Sequence, residues 1–252
     1  MDKTGNLRIS TNGGDNWSDL GNPAIGTIYR IAIAPGGGQE IFLATSNGVF
    51  YSNDSGVTFT SKTNNLPAEA INTLVVSPDY LNDRTVYCTS VTQAVFKSTD
   101  GGDSWTYFKS GATITKQTTA LNEFSELQIS SAYATDKTVF LSAFDGLFIT
   151  RNGGTSWIQR QTRSNIITGL ALSPNFPDDQ KAIVTTYWGG GYYHSSDSGA
   201  TWTVGNWPNP RRLTVFDVNF APNPVGTPTA VSVVAGFLAI SNDYGANWER
   251  TV

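Results

Sequence analysis

Residues 10–17 read Ser10-Thr11-Asn12-Gly13-Gly14-Asp15-Asn16-Trp17, and five more octets of the same pattern follow along the chain. Each octet has Ser or Thr first, Asp or Asn third, Gly fifth and an aromatic residue eighth. The octets begin at residues 10, 52, 98, 150, 195 and 241, so their starts lie 42 to 52 residues apart. A four-stranded propeller blade takes about 40 to 50 residues. The spacing therefore predicts an all-β fold, a β-propeller of four-stranded antiparallel blades.

Three octet positions have a structural interpretation. The third residue is suited to an Asx-type turn, in which its side chain binds backbone amides a few positions ahead. The fifth is always glycine, as expected where the backbone needs a positive φ. The eighth opens the next strand with a ring large enough to fill the layer between neighbouring sheets. These structural positions are Asn12, Gly14, Trp17, Asp54, Gly56, Phe59, Asp100, Gly102, Trp105, Asn152, Gly154, Trp157, Asp197, Gly199, Trp202, Asp243, Gly245 and Trp248.

The octet resembles the Asp-box, also called the BNR repeat, and the resemblance spans essentially the whole chain. Asp-box repeats occur in sialidases, in xyloglucan-degrading glycoside hydrolases, in sortilin-type receptors and in a photosystem II assembly factor. The resemblance implies a β-propeller. Because these proteins include hydrolases, receptors and assembly factors, it does not choose among functions.

The remaining sequence divides into modules around the octets. An alternating strand precedes five of the six octets, and a second β-rich run follows it, so each of these modules supplies four strands, a to d. Only nine residues precede the first octet, too few for strands a and b. We predict one propeller domain over residues 1–252, with a partial c–d blade at 1–20 and full blades at 27–64, 70–110, 124–162, 166–206 and 212–252.

The partial first blade has two interpretations. Either the chain is a window from a longer array, or the partial blade sits in a six-position ring. In both cases the exposed strand edge is a place where a partner or a second copy could pair.

Composition and charge exclude several classes. The net charge is −4 and only 14% of residues are charged, which argues against a nucleic-acid partner. Apolar stretches have strand length, so no membrane insertion is expected. Cys88 is the one cysteine, and each octet offers a single carboxylate or amide where Ca²⁺ needs about six to eight oxygens. We expect no cofactor and no metal, and the Asn-, Thr-, Ser- and Gly-rich composition favours an extracellular or periplasmic location.

Candidate ligand-binding residues come from the b–c and d–a loops, which share the propeller face opposite the octets. Exposed rings stack on sugars or apolar side chains, and arginines donate to hydroxyls, carbonyls or carboxylates. The alternative is that the rings fill a loop cluster or pack on nearby prolines. The candidates are Tyr187, Trp188, Trp207, Arg211 and Arg163.

Catalytic candidates are weaker. A glycoside hydrolase needs two carboxyl groups about 5 to 9.5 Å apart, and the loop face offers Asp145, Glu123 and Glu126. Asp145 precedes a glycine, which is also an ordinary hairpin signal. We therefore predict a non-catalytic interaction or structural module that binds a protein or polysaccharide through its loop face. A glycoside hydrolase or lyase, and an assembly subunit that pairs through an open blade edge, are the alternatives.

Overall fold

The computed structural model describes residues 6–36, 38–91, 95–108, 126–143, 146–160, 166–187, 191–207, 215–221 and 227–251. These residues form 22 strands and two four-residue helices. The chain separates into two compact units, one of residues 1–91 and 95–107 and the other of residues 92–94 and 108–252. The single domain and the blade bounds expected from the sequence stay predictions.

Three sheets lie before residue 109. The first has two strands and the other two have four strands each. Their elements are β1 (Leu7–Ile9), β2 (Ser18–Gly21), β3 (Ile28–Ile33), β4 (Ile41–Thr45), β5 (Gly48–Ser52), β6 (Thr60–Ser61), β7 (Ile71–Val76), α1 (Tyr80–Asp83), β8 (Val86–Ser90), β9 (Val95–Ser98) and β10 (Thr106–Phe108).

Three four-stranded sheets follow after residue 125. Their elements are β11 (Glu126–Ile129), α2 (Tyr133–Asp136), β12 (Val139–Ala143), β13 (Gly146–Thr150), β14 (Ile158–Arg160), β15 (Ile167–Leu172), β16 (Ala182–Thr186), β17 (Tyr192–Ser195), β18 (Thr203–Val204), β19 (Val215–Phe220), β20 (Ala230–Val234), β21 (Phe237–Ser241) and β22 (Glu249–Arg250).

Every sheet is a simple meander in which each strand pairs with the next one along the chain. The strand pairs with resolved registers are antiparallel, as in the pairing of Leu43 with Phe50 between β4 and β5. The predicted fold class, an all-β propeller with five four-stranded blades and one c–d hairpin, is confirmed.

Burial falls from the second strand of a sheet to the fourth. All five residues are buried in each of β4, β8, β12 and β16, whereas β6, β18 and β22 are exposed throughout. A strand covered on both faces is typically rich in apolar residues, and each of these second strands opens with three or four of them and carries no charge. The second strands are therefore the centres of the packed layers.

The hydrophobic core lies between successive sheets of a unit. One cluster joins Leu7 of β1 to Ile41 and Leu43 of β4. A second joins Phe140 and Ile149 of one sheet to the next sheet, and a third continues to the last sheet. Burial of these apolar faces supplies the main favourable free energy of folding in each unit.

All six octets form the same hydrogen-bonded turn. The first-position hydroxyl accepts a bond from the amide of the fifth residue at 2.7–2.9 Å. It also donates to the third-position side chain at 2.6–2.9 Å. The same third-position oxygen accepts the amide of the seventh residue at 2.8–3.0 Å. The turn thus closes each third strand onto the fourth.

The fourth octet residue is constrained as tightly as the fifth. Its φ lies between 56° and 74° in all six copies, and φ of the fifth lies between 83° and 99°. Glycine fills the fourth position in three octets, but the other three have side chains, namely Ser55, Ser198 and Tyr244. Two successive left-handed residues therefore build each turn.

A second turn recurs between the first and second strands. The hydroxyls of Ser77 and Ser130 donate to the carboxylates six residues ahead, at 2.8 Å and 2.6 Å, and Ser173 makes the same bond to Asp179. Each carboxylate also accepts a backbone amide two residues further on. The turn holds a buried aromatic ring in each case: Tyr80, Tyr133 and Phe176.

Candidate functional site

One candidate site is an open cleft between the β4–β5 and β6–β7 loops, on the side of the sheet away from its octet. We call it the loop-side cleft, and its volume is about 370 Å³. Its lining residues are Ser46, Asn47, Thr63, Leu66, Pro67, Ala68 and Glu69.

One wall is the two-residue hairpin between β4 and β5. Thr45 pairs with Gly48, and its hydroxyl donates to the Gly48 carbonyl oxygen at 3.0 Å while accepting the Asn47 amide at 3.0 Å. Gly48 has φ of 104°, which a side chain would strain. These bonds leave the Asn47 side chain exposed at the tip of the hairpin.

The other wall is the β6–β7 loop, which is folded by its own backbone. The Leu66 amide donates to the Thr63 carbonyl oxygen at 2.9 Å, and the Glu69 amide donates to the Pro67 carbonyl oxygen at 2.8 Å. A Cβ at Gly48 would lie 2.5 Å from Cγ2 of Thr63, so the two walls meet at that glycine. The cleft is therefore preformed.

Ser46 ties the hairpin to the start of β3. Its amide donates to the Thr27 carbonyl oxygen at 2.8 Å, and its hydroxyl accepts the Thr27 amide at 3.0 Å. Such reciprocal bonds hold the hairpin in one orientation relative to its sheet.

The lining combines polar and apolar groups and carries one charge. Ser46, Asn47 and Thr63 carry neutral hydroxyl or amide groups, Glu69 carries the one carboxylate, and none of the seven residues is aromatic. Groups of this kind recognise hydrogen-bonding partners such as peptide amides or sugar hydroxyls. The lining does not offer a ring on which a sugar could stack.

Trp207, a predicted ligand-binding residue, lies in an aromatic stack between two sheets of the second unit. Its ring is 5.7 Å from Phe237 at an interplanar angle of 16°, and 6.0 Å from Tyr192. Tyr192 stacks in turn on Trp248 at 3.9 Å. The Trp207 indole Nε1 is buried and has no hydrogen-bond partner among the described residues. The ring is partly buried and packs against the core cluster of the last two sheets, and its role in ligand binding stays a prediction.

The other predicted ligand-binding residues are placed less fully. Tyr187 is partly buried just after β16, and its amide donates to the Ile166 carbonyl oxygen at 3.1 Å. Trp188, Arg163 and Arg211 lie outside the described residues. Their role in ligand binding stays a prediction.

Among the three candidate catalytic carboxylates, Glu126 is the one that falls on described residues. It is buried on β11, and its Oε2 accepts the backbone amide of Leu170 in the neighbouring sheet at 3.0 Å. Its Oε1 accepts a bond from Gln128 at 3.3 Å. Glu126 therefore links two sheets. Asp145 and Glu123 lie outside the described residues.

The octet carboxylates have lowered pKa values because of their turn. Hydrogen bonds from the Thr58 side chain and amide, and from Ser52, lower the pKa of Asp54 to about 2. Burial by itself would raise the pKa of Asp197, but bonds from the Thr201 side chain and amide and from Ser195 outweigh it and lower that pKa. These carboxylates stay ionised and serve the fold.

Other chemistry is sparse in the described part of the chain. Burial raises the pKa of the Cys88 thiol well above its usual value, so the thiol is protonated at neutral pH. No group of three or more His, Cys, Asp or Glu side chains that could hold a metal occurs among the residues with described structure. Within those same residues, no helix has the length and apolar character needed to span a membrane.

Sequence reasoning did not single out the loop-side cleft. The residue types of its walls read as turn signals, Asn47 before a glycine and Asn65 before Leu66-Pro67. The sequence offered one clue: these two turns lie at either end of the short β5–β6 hairpin and so come close together.

A family model described as the DUF6242 beta propeller domain matches residues 1–186. No curated protein is similar enough to the chain to count as a match.

Solved structures with similar folds belong to functionally different proteins. The GH74 xyloglucanase from Xanthomonas campestris is 16% identical, with a TM-score of 0.69 over 94% of this chain and 41% of its own. YCF48 bound to D1 peptide is 17% identical, with a TM-score of 0.65 over 100% and 71% of the two chains. PorZ, a surface component of the type-IX secretion system of Porphyromonas gingivalis, is 12% identical, with a TM-score of 0.61 over 90% and 28%.

At such identities these likenesses show the fold alone. The chain spans between 30% and 41% of the length of the GH74 structures that it matches.

Proposed function

The chain belongs to the DUF6242 β-propeller domain family, and on that premise we propose that it is a non-catalytic interaction module that binds a protein partner through the loop-side cleft. The observation that carries the proposal is the preformed cleft itself, whose two walls are fixed by their own hydrogen bonds. A preformed site loses little conformational entropy on binding.

The lining favours an extended peptide segment over a polysaccharide. Its hydroxyl and amide groups can bond to the donors and acceptors of a peptide backbone, and Leu66 and Pro67 offer apolar surface for its side chains, whereas the lining has no ring on which a sugar could stack. The solved structure of YCF48 with the D1 peptide supports a propeller of this type as a peptide-binding scaffold. Polysaccharide binding is the alternative outcome.

The hydrolase alternative has less support. Glycoside hydrolysis by the usual route needs two carboxyl groups with a defined separation. The cleft supplies Glu69 alone among its described lining, and Glu126 is bonded to the Leu170 amide. The likeness to GH74 enzymes is a likeness of fold, because the GH74 xyloglucanase is only 16% identical to this chain.

The proposal includes the repeat type and the location. We assign the six octets to the Asp-box repeat on their common hydrogen bonds. We also place the protein outside the cytoplasm, in the extracellular or periplasmic space, which agrees with PorZ being a bacterial surface component.

The test is a binding screen against a set of extended peptides and a set of oligosaccharides that includes xyloglucan fragments. Asn47→Ala and Glu69→Ala each remove one polar group from the cleft, and Asp15→Ala, in the exposed first octet, is the matched control. One net hydrogen bond contributes about 1 kcal/mol, so each cleft variant should weaken binding about fivefold.

The control variant should bind as the wild type does. Unchanged binding in both cleft variants would contradict the proposed site. Release of reducing sugar from an oligosaccharide would contradict the proposal that the protein is non-catalytic.

A further inference from the structure

The chain contains three Asn-Gly pairs, a dipeptide prone to spontaneous loss of the asparagine side-chain amide. They are Asn12-Gly13, Asn47-Gly48 and Asn152-Gly153. In this reaction the glycine nitrogen attacks the side-chain carbonyl carbon of the asparagine, and glycine favours the attack because it has no Cβ to obstruct it. All three asparagines are exposed, so water reaches each of them. Sequence and exposure therefore do not choose among the pairs.

In the two octet pairs, the turn holds the asparagine side chain. Oδ1 of Asn12 accepts the Ser10 hydroxyl at 2.9 Å and the Asn16 amide at 3.0 Å. Oδ1 of Asn152 accepts the two corresponding bonds, also at 2.9 Å and 3.0 Å, and its Nδ2 donates to the Ser156 hydroxyl at 2.9 Å. The reaction requires these bonds to break, because the side chain must turn toward the nitrogen of the following glycine.

The attacking nitrogens also differ. The Gly153 amide donates to the Lys137 carbonyl oxygen at 3.0 Å, so attack there would require two turns to separate. Gly48 instead pairs with Thr45 at the end of the β4–β5 ladder, next to the hairpin tip. The end of an element opens locally at a lower cost in free energy than the body of the fold. The Gly48 nitrogen is therefore the easier of the two to release.

The Asn47 side chain is held more weakly than the octet asparagines. Within the described part of the chain, its Oδ1 accepts the Ser46 hydroxyl at 3.5 Å, which is long for a hydrogen bond. The residue lies at the exposed tip of the hairpin. Its side chain can therefore turn toward Gly48 without the loss of a strong bond.

We propose that Asn47 is a site of spontaneous deamidation, selected by the fold over the two octet pairs. The Gly48 nitrogen forms a bond to Cγ of Asn47 while the Cγ–Nδ2 bond breaks, and the side-chain amide leaves as ammonia with the proton from the Gly48 nitrogen. Water then opens the cyclic imide at either carbonyl, which gives aspartate or isoaspartate. No oxidant or reductant takes part.

The modification changes the loop-side cleft because Asn47 lines it. Aspartate adds a second carboxylate to a lining that already carries Glu69, and isoaspartate adds a carbon atom to the hairpin backbone. The octets tolerate the same change, since four of the six have Asp at the position of Asn12 and Asn152. The effect on ligand binding rests on the proposed function of the cleft, whereas the deamidation does not.

The test follows the three pairs by peptide mass spectrometry while the whole chain is incubated at mildly alkaline pH, with isoaspartyl methyltransferase labelling as a second readout. In the folded protein, Asn47 should react about tenfold faster or more than Asn12 and Asn152, because each octet asparagine must first lose at least two ordinary hydrogen bonds. In urea, which removes the turns, the three pairs should react at similar rates.

Two variants separate the cause from the consequence. Ser156→Ala removes the hydroxyl that holds Nδ2 of Asn152 but keeps the bond from the backbone amide, so Asn152 should react about fivefold faster and Asn47 as before. Asn47→Asp reproduces one product, and the loss of its amide donor should weaken binding of the strongest ligand from the screen about fivefold.

Equal rates at the three pairs in the folded protein, or a faster reaction at an octet pair, would overturn the proposal. It would also be overturned if Asn47 stayed intact over the time in which the chain in urea is converted, since the hairpin would then protect it. If Asn47 reacts but Asn47→Asp binds as the wild type does, the result contradicts the cleft and leaves the modification site in place.

Discussion

The backbone amide of Gly101 donates a hydrogen bond to the carbonyl oxygen of Arg84 at 2.9 Å, which ties an octet to the turn between the first two strands of its sheet. The same bond joins Gly153 to Lys137 and Ser198 to Gln180, both at 3.0 Å. In each case a left-handed octet residue meets a left-handed residue of the other turn. The two turns on the octet side of a sheet are therefore one hydrogen-bonded unit.

The left-handed residue in the turn between the first and second strands should not tolerate a β-branched side chain. Lys137 has φ of 51°, so Lys137→Val should lower the free energy of unfolding by about 1–2 kcal/mol. Lys181→Val is the matched control because both ammonium groups lie over tyrosine rings, at 4.9 Å and 5.4 Å, but Lys181 is not left-handed. Urea denaturation compares the two. Equal losses would mean that backbone conformation is not the cause.

The third octet residue should tolerate an amide but not a methyl group. Asp197 accepts bonds from the Thr201 amide at 2.9 Å and from Ser195 at 2.8 Å, and Asn152 accepts the corresponding amide at 3.0 Å. Asp197→Ala should therefore lower the free energy of unfolding by about 1 kcal/mol. Asp197→Asn should change it by less than about half of that. If urea denaturation shows similar losses of unfolding free energy for both variants, the charge of Asp197 and not its acceptor oxygen would be the source of the stability.

The pKa of Asp54 predicts a specific acid response. A carboxyl group whose pKa is lowered to about 2 on folding stabilises the protein fully above its ordinary value, near 4, and the contribution is lost as pH falls toward 2. Carboxyl-carbon NMR should show Asp54 titrating near pH 2. The unfolding free energy of Asp54→Asn should depend less on pH between 4 and 2 than that of the wild type. Titration near pH 4 would contradict the hydrogen-bonded turn.

Glu126 should contribute to the free energy of unfolding. Glu126→Ala leaves the Leu170 amide without its acceptor, which should cost about 1–3 kcal/mol of unfolding free energy. Glu126→Gln keeps an acceptor oxygen and should cost less. Denaturant unfolding of both variants provides the measurement. If neither variant changes stability, the residue is available for another role, and the hydrolase alternative regains a carboxylate.

The sheets could be predicted from the sequence because octet chemistry is local. Ser52, Asp54 and Gly56 make their bonds within five residues, so the pattern alone marks the end of each third strand. The fourth octet residue could not be predicted. Tyr244 gives no sign of its φ of 59°, since a tyrosine side chain does not favour the left-handed region.

The site could be predicted only in part. Trp207 was predicted to be a ligand-binding residue from its place in a loop, whereas its packing against Tyr192 and Phe237 could not be predicted because those residues are distant in sequence. The loop-side cleft depends on the meeting of Gly48 with Thr63, a contact between two hairpin ends. The residue types in a sequence predict where turns occur, whereas the cleft between two turns depends on how they pack.

Hydrogen exchange measured with and without the strongest ligand from the peptide and oligosaccharide sets tests the central claim most directly. The loop-side cleft account predicts slower exchange at residues 46–48 and 66–70, with the octet turns unchanged. Slowing confined to the octet turns, or to residues outside these two loops, would contradict it.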